Sequence, residues 1–380
     1  MTQPSTSLLE HVRTHAAEAL RPLVEAIDRE GLYPEAYLRE LGALGGFAAL
    51  APEAQGGSGL GLATQIQVLS AVGEECGSTA FLGWCQTACA WYLLQTRHAA
   101  VRERYLPAIL RGERLAGSAM SNTVKHLCGI ERHLLQAVPV ADGYQVKGSL
   151  PWVSNLGPDH VFAATAQLPD GRYVMFMAGG QTPGVSLKSC PEFCALEGTR
   201  TLNVRFDDVQ ISAADILAQP EEFDAYIARI KAGFILLQMG IGAGVVQGCL
   251  KIIRESNAAS TVTNAYLDDQ HDTLQAELDA ALAQTLALAD AAERHQAPLL
   301  DVLKLRLAGA ELALRAAQSA ALHAGAKGYL VRHAAQRRTR EALFVAIVTP
   351  ATKHLRREIA ELQAAPAGAN TTRQPVAEVV

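Results

Sequence analysis

A chain of 380 residues, 49% hydrophobic and 19% charged, is long enough for more than one core, because single cores rarely outgrow roughly 250–300 residues. Its net charge is −5 and its longest basic cluster is "QRRTR", so the field that gathers nucleic acid is missing and no such partner is expected. No uninterrupted apolar run reaches the roughly 18 residues of a membrane span. The opening "MTQPSTSLLEHVRTHAAEAL" turns amphipathic and acidic too early for a signal peptide, which leads us to expect a cytoplasmic protein without a membrane partner.

The seven cysteines are odd in number and scattered. Neither Cys85/Cys89 nor Cys190/Cys194 has C-x-x-C spacing, so reduced and mostly buried thiols are expected. His11 and His15, four apart, offer half a metal site with no third ligand nearby, and no metal is expected.

Along the chain, "LLEHVRTHAAEALRPLVEAIDRE", "PEAYLRELGALG" and "LATQIQVLSAVGEE" carry apolar residues three and four apart, which predicts an α-helical domain over 1–113. "APEAQGGSGLG" breaks it with four glycines and a proline; without a preceding strand or G-x-G-x-x-G order this is a loop and not a dinucleotide fingerprint. Over 114–221 short segments such as "YQVKGSLPWVS", "RYVMFMA" and "TLNVRFDDVQI", divided by Gly, Pro and Asp, predict an antiparallel β domain. Leu202, Val204 and Phe206 should face a core while Thr201, Asn203 and Arg205 face solvent. From 222 to 364 four amphipathic Ala/Leu-rich segments, near 224–256, 271–296, 299–322 and 335–363, predict an antiparallel four-helix bundle. Residues 365–380 lack periodicity and read as a flexible tail. The fold class is α+β, in the order helical domain, β domain, bundle.

Five stretches carry a family resemblance: "LRELGALGGFAALAPEAQGGSGLGL"; "GYQVKGSLPWVSN" with "TPGVSL" and "TLNVRFDDVQIS"; and "HAGAKGYLVRHAAQRRTREALFVAI". In this order they resemble the acyl-CoA dehydrogenase superfamily over nearly the whole chain. The resemblance implies an acyl-CoA dehydrogenase-like flavin oxidoreductase with FAD as cofactor, FMN or loosely held reduced flavin being the alternative. It also implies an acyl-CoA substrate, an electron-transfer flavoprotein or flavin reductase as redox partner, and a homodimer or homotetramer.

On residues alone Trp152 reads as a buried core aromatic followed by a Ser-Asn turn. The resemblance instead places Trp152 against a flavin and the Ser154 hydroxyl near its reactive nitrogen, with Asn155 completing the motif. In the preceding flavin-facing segment, here "MSNTVKHLCGIE", only Ser121 is retained. Lys125 and His126 supply positive charge there, but a solvated pair on a loop is the commoner outcome. Ser260 and Val262 stand where relatives carry Arg and Phe, whereas Gly325 and Gly328 survive from a loop that approaches the cofactor of a neighbouring subunit. A helix C-cap explains those two glycines equally well.

Dehydrogenating an acyl thioester requires a carboxylate to take the α proton. Thr349 stands at the family's usual glutamate and Phe234 at its alternative position. A threonine hydroxyl is too weakly acidic to replace it, and Thr349 followed by Pro350 reads equally as the N-cap and first residue of the last helix. The catalytic residue is therefore unassigned. His126 and His354 are the weak candidates, with His133, His160, Glu192 and Glu197 as further ones. Three readings stay open: an acyl-CoA oxidoreductase with a non-standard base, a two-component flavin monooxygenase, and a non-catalytic binding or assembly homologue.

Overall fold

The computed structural model describes residues 4–364. The tail expected over 365–380 lies outside them. The N-terminal helical block contains α1 (Pro4–His15), α2 (Val24–Arg29), α3 (Glu35–Ala43), α4 (Gly61–Glu75), α5 (Gly77–Gln95) and α6 (Ala99–Leu110). The glycine-rich stretch before α4 forms turns around a 3-10 segment at Glu53–Gln55, as its composition predicts.

The middle region holds β1 (Ala116–Ser118), α7 (Ser121–Leu127), β2 (Leu135–Val140), β3 (Gly143–Val153), β4 (Val161–Gln167), β5 (Tyr173–Gly179), β6 (Val185–Ser189), β7 (Leu202–Ile211) and β8 (Ile216–Ala218). They form one sheet in the order β6-β7-β3-β2-β4-β5-β8, with β1 alongside β4. The expected antiparallel sheet is in fact mixed, because β4 pairs in parallel with both β1 and β2. The predicted alternation holds where β7 is central: Val204 and Phe206 are buried and Arg205 is exposed. Phe206 meets the edges of Phe162 and Phe176, giving the sheet a core of its own.

The C-terminal region holds α8 (Phe223–Asn264), α9 (His271–Glu293), α10 (Leu299–Ala324), α11 (Ala334–Ile347) and α12 (Thr352–Ala364). The fourth predicted segment is thus two helices, interrupted at 348–351 around a cis Thr349-Pro350 bond. Helix α8 is long and apolar enough to cross a membrane, but 94% of its apolar window is buried inside the protein, where it forms the spine of the bundle. It approaches α4 at a glycine pair: a Cβ on Gly244 would lie 2.5 Å from the Gly73 Cα. Any larger residue would push the two helices apart. Near its far end Ser260 leaves helical geometry (φ −142°, ψ 35°) and kinks the helix.

Candidate functional site

The motif at the end of β3 is built by a register shift. Pairing with β7 slips between Leu150 and Val153, and inside the slip Trp152 takes a left-handed backbone (φ 57°). Such bulges re-aim a side chain. Trp152 emerges 60% exposed, edge-on to Phe193 at 5.6 Å, so the core reading of this tryptophan is wrong and a flat aromatic face is available at the surface.

Asn155 does the opposite. It is fully buried, accepts from the Tyr33 hydroxyl at 2.6 Å and donates to the Ala116 carbonyl at 2.8 Å. Its amide ties α3's approach to the sheet with one acceptor bond and one donor bond, so Asn155 holds the motif in place from inside the protein. Ser154 ends a directed chain of hydroxyls. Thr199 donates to the Leu196 carbonyl, so it accepts from Thr201 at 2.8 Å, and Thr201 in turn accepts from Ser154 at 2.6 Å. The Ser154 proton is spent, leaving its oxygen as an acceptor for an N–H.

Ser121 and Thr349, 228 positions apart, are hydrogen-bonded through their hydroxyls at 3.0 Å. Thr349 is not the N-cap that its sequence suggests: α12 starts at Thr352, and the His354 Nδ1 accepts from the Ala351 N–H instead. The loop is anchored from below. Arg306, fully buried, donates to Gln238 at 2.9 Å and to the Val345 carbonyl at 2.6 Å, and Gln238 donates to the Thr349 carbonyl at 2.9 Å. Burial without a carboxylate partner pulls the Arg306 guanidinium down to about 10.

Beside this loop lies a cavity of about 120 Å³. Met120, Leu127, Ile230, Phe234 and Ile235 give it an apolar lining, and Pro350 closes one side. Phe234, at the alternative glutamate position, packs its ring against Trp84 at 5.2 Å. Two charges also line the cavity: Lys231 of α8 and Glu358 of α12, paired at 2.5 Å. Sequence reasoning missed both. The signal was present, since Lys231 shares a four-residue stripe with Ile227 and Ile235, and Glu358 sits three after Leu355 and one before Ile359.

The histidine candidates are placed elsewhere. "SNTVKHL" is the helix α7 and not a loop, and Lys125 is paired with Glu131 at 2.7 Å, so neither residue is the solvated loop charge expected. The His126 Nδ1–H donates to the Glu131 carbonyl at 2.9 Å, which leaves Nε2 to accept from the Tyr173 hydroxyl at 2.7 Å. His133 is held likewise between the Leu135 carbonyl (3.0 Å) and Thr165 (2.8 Å), with burial pushing it down to about 4. His354 is also lowered, first by burial and then by Lys353 and Lys125, while its Nδ1 is spent on the cap.

His160 Nδ1–H donates to the Asn155 carbonyl at 2.9 Å; the ring does not line the cavity. Its neighbours Glu35 and Asp159 bring ligand atoms within 4.8 Å of it, but Arg39 bridges both carboxylates, so a cation is already in place. Glu192 is exposed, and Glu197 accepts from the Phe193 N–H within its own loop. Neither lines the cavity.

Gly325 is the C-cap of α10 (φ 58°), with open space where a Cβ would stand; a Cβ on Gly328 would lie 2.7 Å from the Ala321 carbonyl. Gly328 is therefore needed for packing, and only Gly325 offers an open backbone.

The first part of the chain, residues 2–113, matches the family model "Acyl-CoA dehydrogenase, N-terminal domain". A probable acyl-CoA dehydrogenase of Bacillus subtilis is 23% identical over 91% of this chain and 94% of its own length. An isovaleryl-CoA dehydrogenase of Pongo abelii is 28% identical, over 57% of this chain and 53% of that one, so the match spans about half of that relative. The solved butyryl-CoA dehydrogenase of Megasphaera elsdenii superimposes with a TM-score of 0.86 at 17% identity, covering 96% of this chain and 98% of that structure. Helical block, sheet and bundle share the fold of that structure over almost the full length, and the matches to residues 2–113 and to the Bacillus protein support membership of the acyl-CoA dehydrogenase superfamily.

Proposed function

We propose that the protein is a flavin-dependent oxidoreductase acting on an acyl thioester. The observation that carries this reading is the apolar cavity of about 120 Å³ ending at Pro350, beside the Ser121–Thr349 contact, in a chain of this family. The ring-side residues fit a flavin: Trp152 offers an exposed aromatic face, and Ser154 offers an oxygen aimed by its own proton commitment. The pyrophosphate side is not built from Lys125 and His126, whose polar atoms are taken. FAD, when bound, supplies the acceptor for a hydride.

The chain's own residues do the rest. Trp152 would cover one face of the ring. Ser154 would accept a hydrogen bond from a ring N–H, which would favour the ring state that carries one. Met120, Ile230, Phe234 and Ile235 exclude water around the acyl group, and Arg306, through Gln238, fixes the loop that closes the cavity. Neither Thr349 nor Phe234 can take the α proton, and Glu358, the one carboxylate among the described residues lining the cavity, is held in an ion pair by Lys231.

That absence favours a second reading, a monooxygenase of the same fold that takes reduced flavin from a reductase and needs no such base. Anaerobic addition of acyl-CoA thioesters to the holoprotein separates the two. Bleaching of the flavin supports the first. A panel without bleaching, together with oxygen uptake only when reduced flavin is supplied, selects the second.

We also propose a homo-oligomer. Val262, Tyr266, Leu322, Tyr329, Leu330 and Val331 expose large apolar side chains near the ends of α8 and α10 and on the 325–331 segment. Light scattering on Tyr329→Asp should show a shift toward monomer; an unchanged mass would remove this patch from the interface. An electron-transfer flavoprotein or a flavin reductase is the proposed redox partner.

A further inference from the structure

We infer that the cavity is built for a short acyl group ending in a neutral hydrogen-bonding group, a hydroxyl or a carboxamide. This deepens the acyl-thioester reading and rests on it. Size comes first. A dry cavity of about 150 Å³ holds benzene, six heavy atoms. The cavity here, about 120 Å³, is smaller and therefore takes about five heavy atoms beyond the thioester carbon.

The end chemistry comes from the two charges in an otherwise mostly apolar lining. Lys231 and Glu358 side chains are 30% and 8% exposed, so they are largely withdrawn from solvent. Each has capacity to spare. The ammonium has three donors and gives one to Glu358, whose carboxylate accepts at more sites than that single bond uses. Thr123, also on the wall, hydrogen-bonds Thr165 at 2.6 Å; Thr165 gives its own proton to His133, so Thr123 must donate there and its proton is spent.

A plain alkyl end laid against the pair would strip water from two charges and return nothing. A carboxylate end would meet Glu358, and an ammonium end would meet Lys231, each a like charge in a confined space. A neutral hydroxyl or carboxamide accepts from Lys231 and donates to Glu358 at once. The pair as a whole is charge-neutral and selects a partner with both capacities.

The test is an anaerobic titration of the holoprotein with valeryl-CoA, 5-hydroxyvaleryl-CoA, glutaryl-CoA and 5-aminovaleryl-CoA, reading binding heat and flavin absorbance together. The 5-hydroxy thioester should bind about tenfold or more tighter than valeryl-CoA, as two hydrogen bonds to charged groups imply. In the double variant Lys231→Met, Glu358→Met that order should reverse. Equal or tighter binding of valeryl-CoA to the wild type overturns this inference and leaves the acyl-thioester reading intact. Tightest binding of the glutaryl or 5-aminovaleryl thioester also overturns it. No binding by any of the four overturns the acyl-thioester reading itself. Should the double variant fail to fold, the wild-type ranking decides alone.

Discussion

The two sides of the cavity use buried polar groups in opposite ways. On the sheet side Thr123, which lines the cavity, donates to Thr165, Thr165 to His133 and His133 to the Leu135 carbonyl, while His126 nearby is held by Tyr173 and the Glu131 carbonyl. On the bundle side Lys231 and Glu358 satisfy each other with one bond and keep donors and acceptors to spare. The first pattern rigidifies a surface; the second reads a ligand. A related division separates neighbours within the motif at the end of β3, where Asn155 is buried and bonded within the protein and Trp152 is exposed.

The largest expected effect breaks the committed side. Asn155→Ala orphans the Tyr33 hydroxyl and the Ala116 carbonyl and puts alanine at φ 59°. Two unsatisfied buried groups plus left-handed strain should cost about 4 kcal/mol of stability in urea unfolding. Trp152→Ala, on the free side, should cost less than about 1 kcal/mol while weakening flavin binding. A neutral Asn155→Ala beside a destabilised Trp152→Ala would invert the contrast.

Much of the first contrast was legible in the sequence and its resemblance, and part was not. The three-part order followed from periodicity, because apolar spacing changes from three-and-four to alternation and back. The motif's proposed ring-side role came from the family likeness. What periodicity cannot carry is partnership at long range. Asn155 meets Tyr33 at a separation of 122 positions, and Lys231 meets Glu358 at 127, so neither commitment nor spare capacity is written locally. Helix α7 was misread because its polar side chains suggest a loop, while Asn122, bonding Glu131, Arg132 and the Leu134 N–H, holds it folded against the next segment.

The second effect follows from His133, held down to about 4 by burial. The unfolded chain binds its proton near pH 6.5, so between pH 6.5 and 4 the unfolded state carries more protons and stability falls on acidification. At pH 4 this site should account for about 3 kcal/mol of the loss. His133→Gln should show that much less decline between pH 7.5 and 4. An identical decline in both proteins would mean that the sheet wall does not hold this ring neutral.

A smaller effect sharpens the direction of the hydroxyl chain. Thr201→Val frees the Ser154 proton to donate, which favours the ring state with a bare nitrogen over the one with an N–H. One hydrogen bond of about 1.4 kcal/mol corresponds to about 30 mV for a two-electron couple, so the bound flavin's potential should fall by about that much. A rise would reverse the chain and make Ser154 a donor in the wild type.

The smallest effect concerns Thr349 itself. Thr349→Val removes an exposed hydroxyl contact with Ser121 but keeps the backbone carbonyl that accepts from Gln238, which is what anchors the loop. Stability should change by less than about 0.5 kcal/mol. If the threonine only shapes the loop, the rate of anaerobic flavin reduction by a bound thioester should stay within about threefold, less than about 1 kcal/mol in the barrier. A loss of about a hundredfold would place the hydroxyl in the proton step, with Ser121 as its partner, and move Thr349 from the committed groups to the reacting ones. Measuring Ser121→Ala alongside separates these cases, because a shared proton path loses the same rate in either variant whereas a loop support does not.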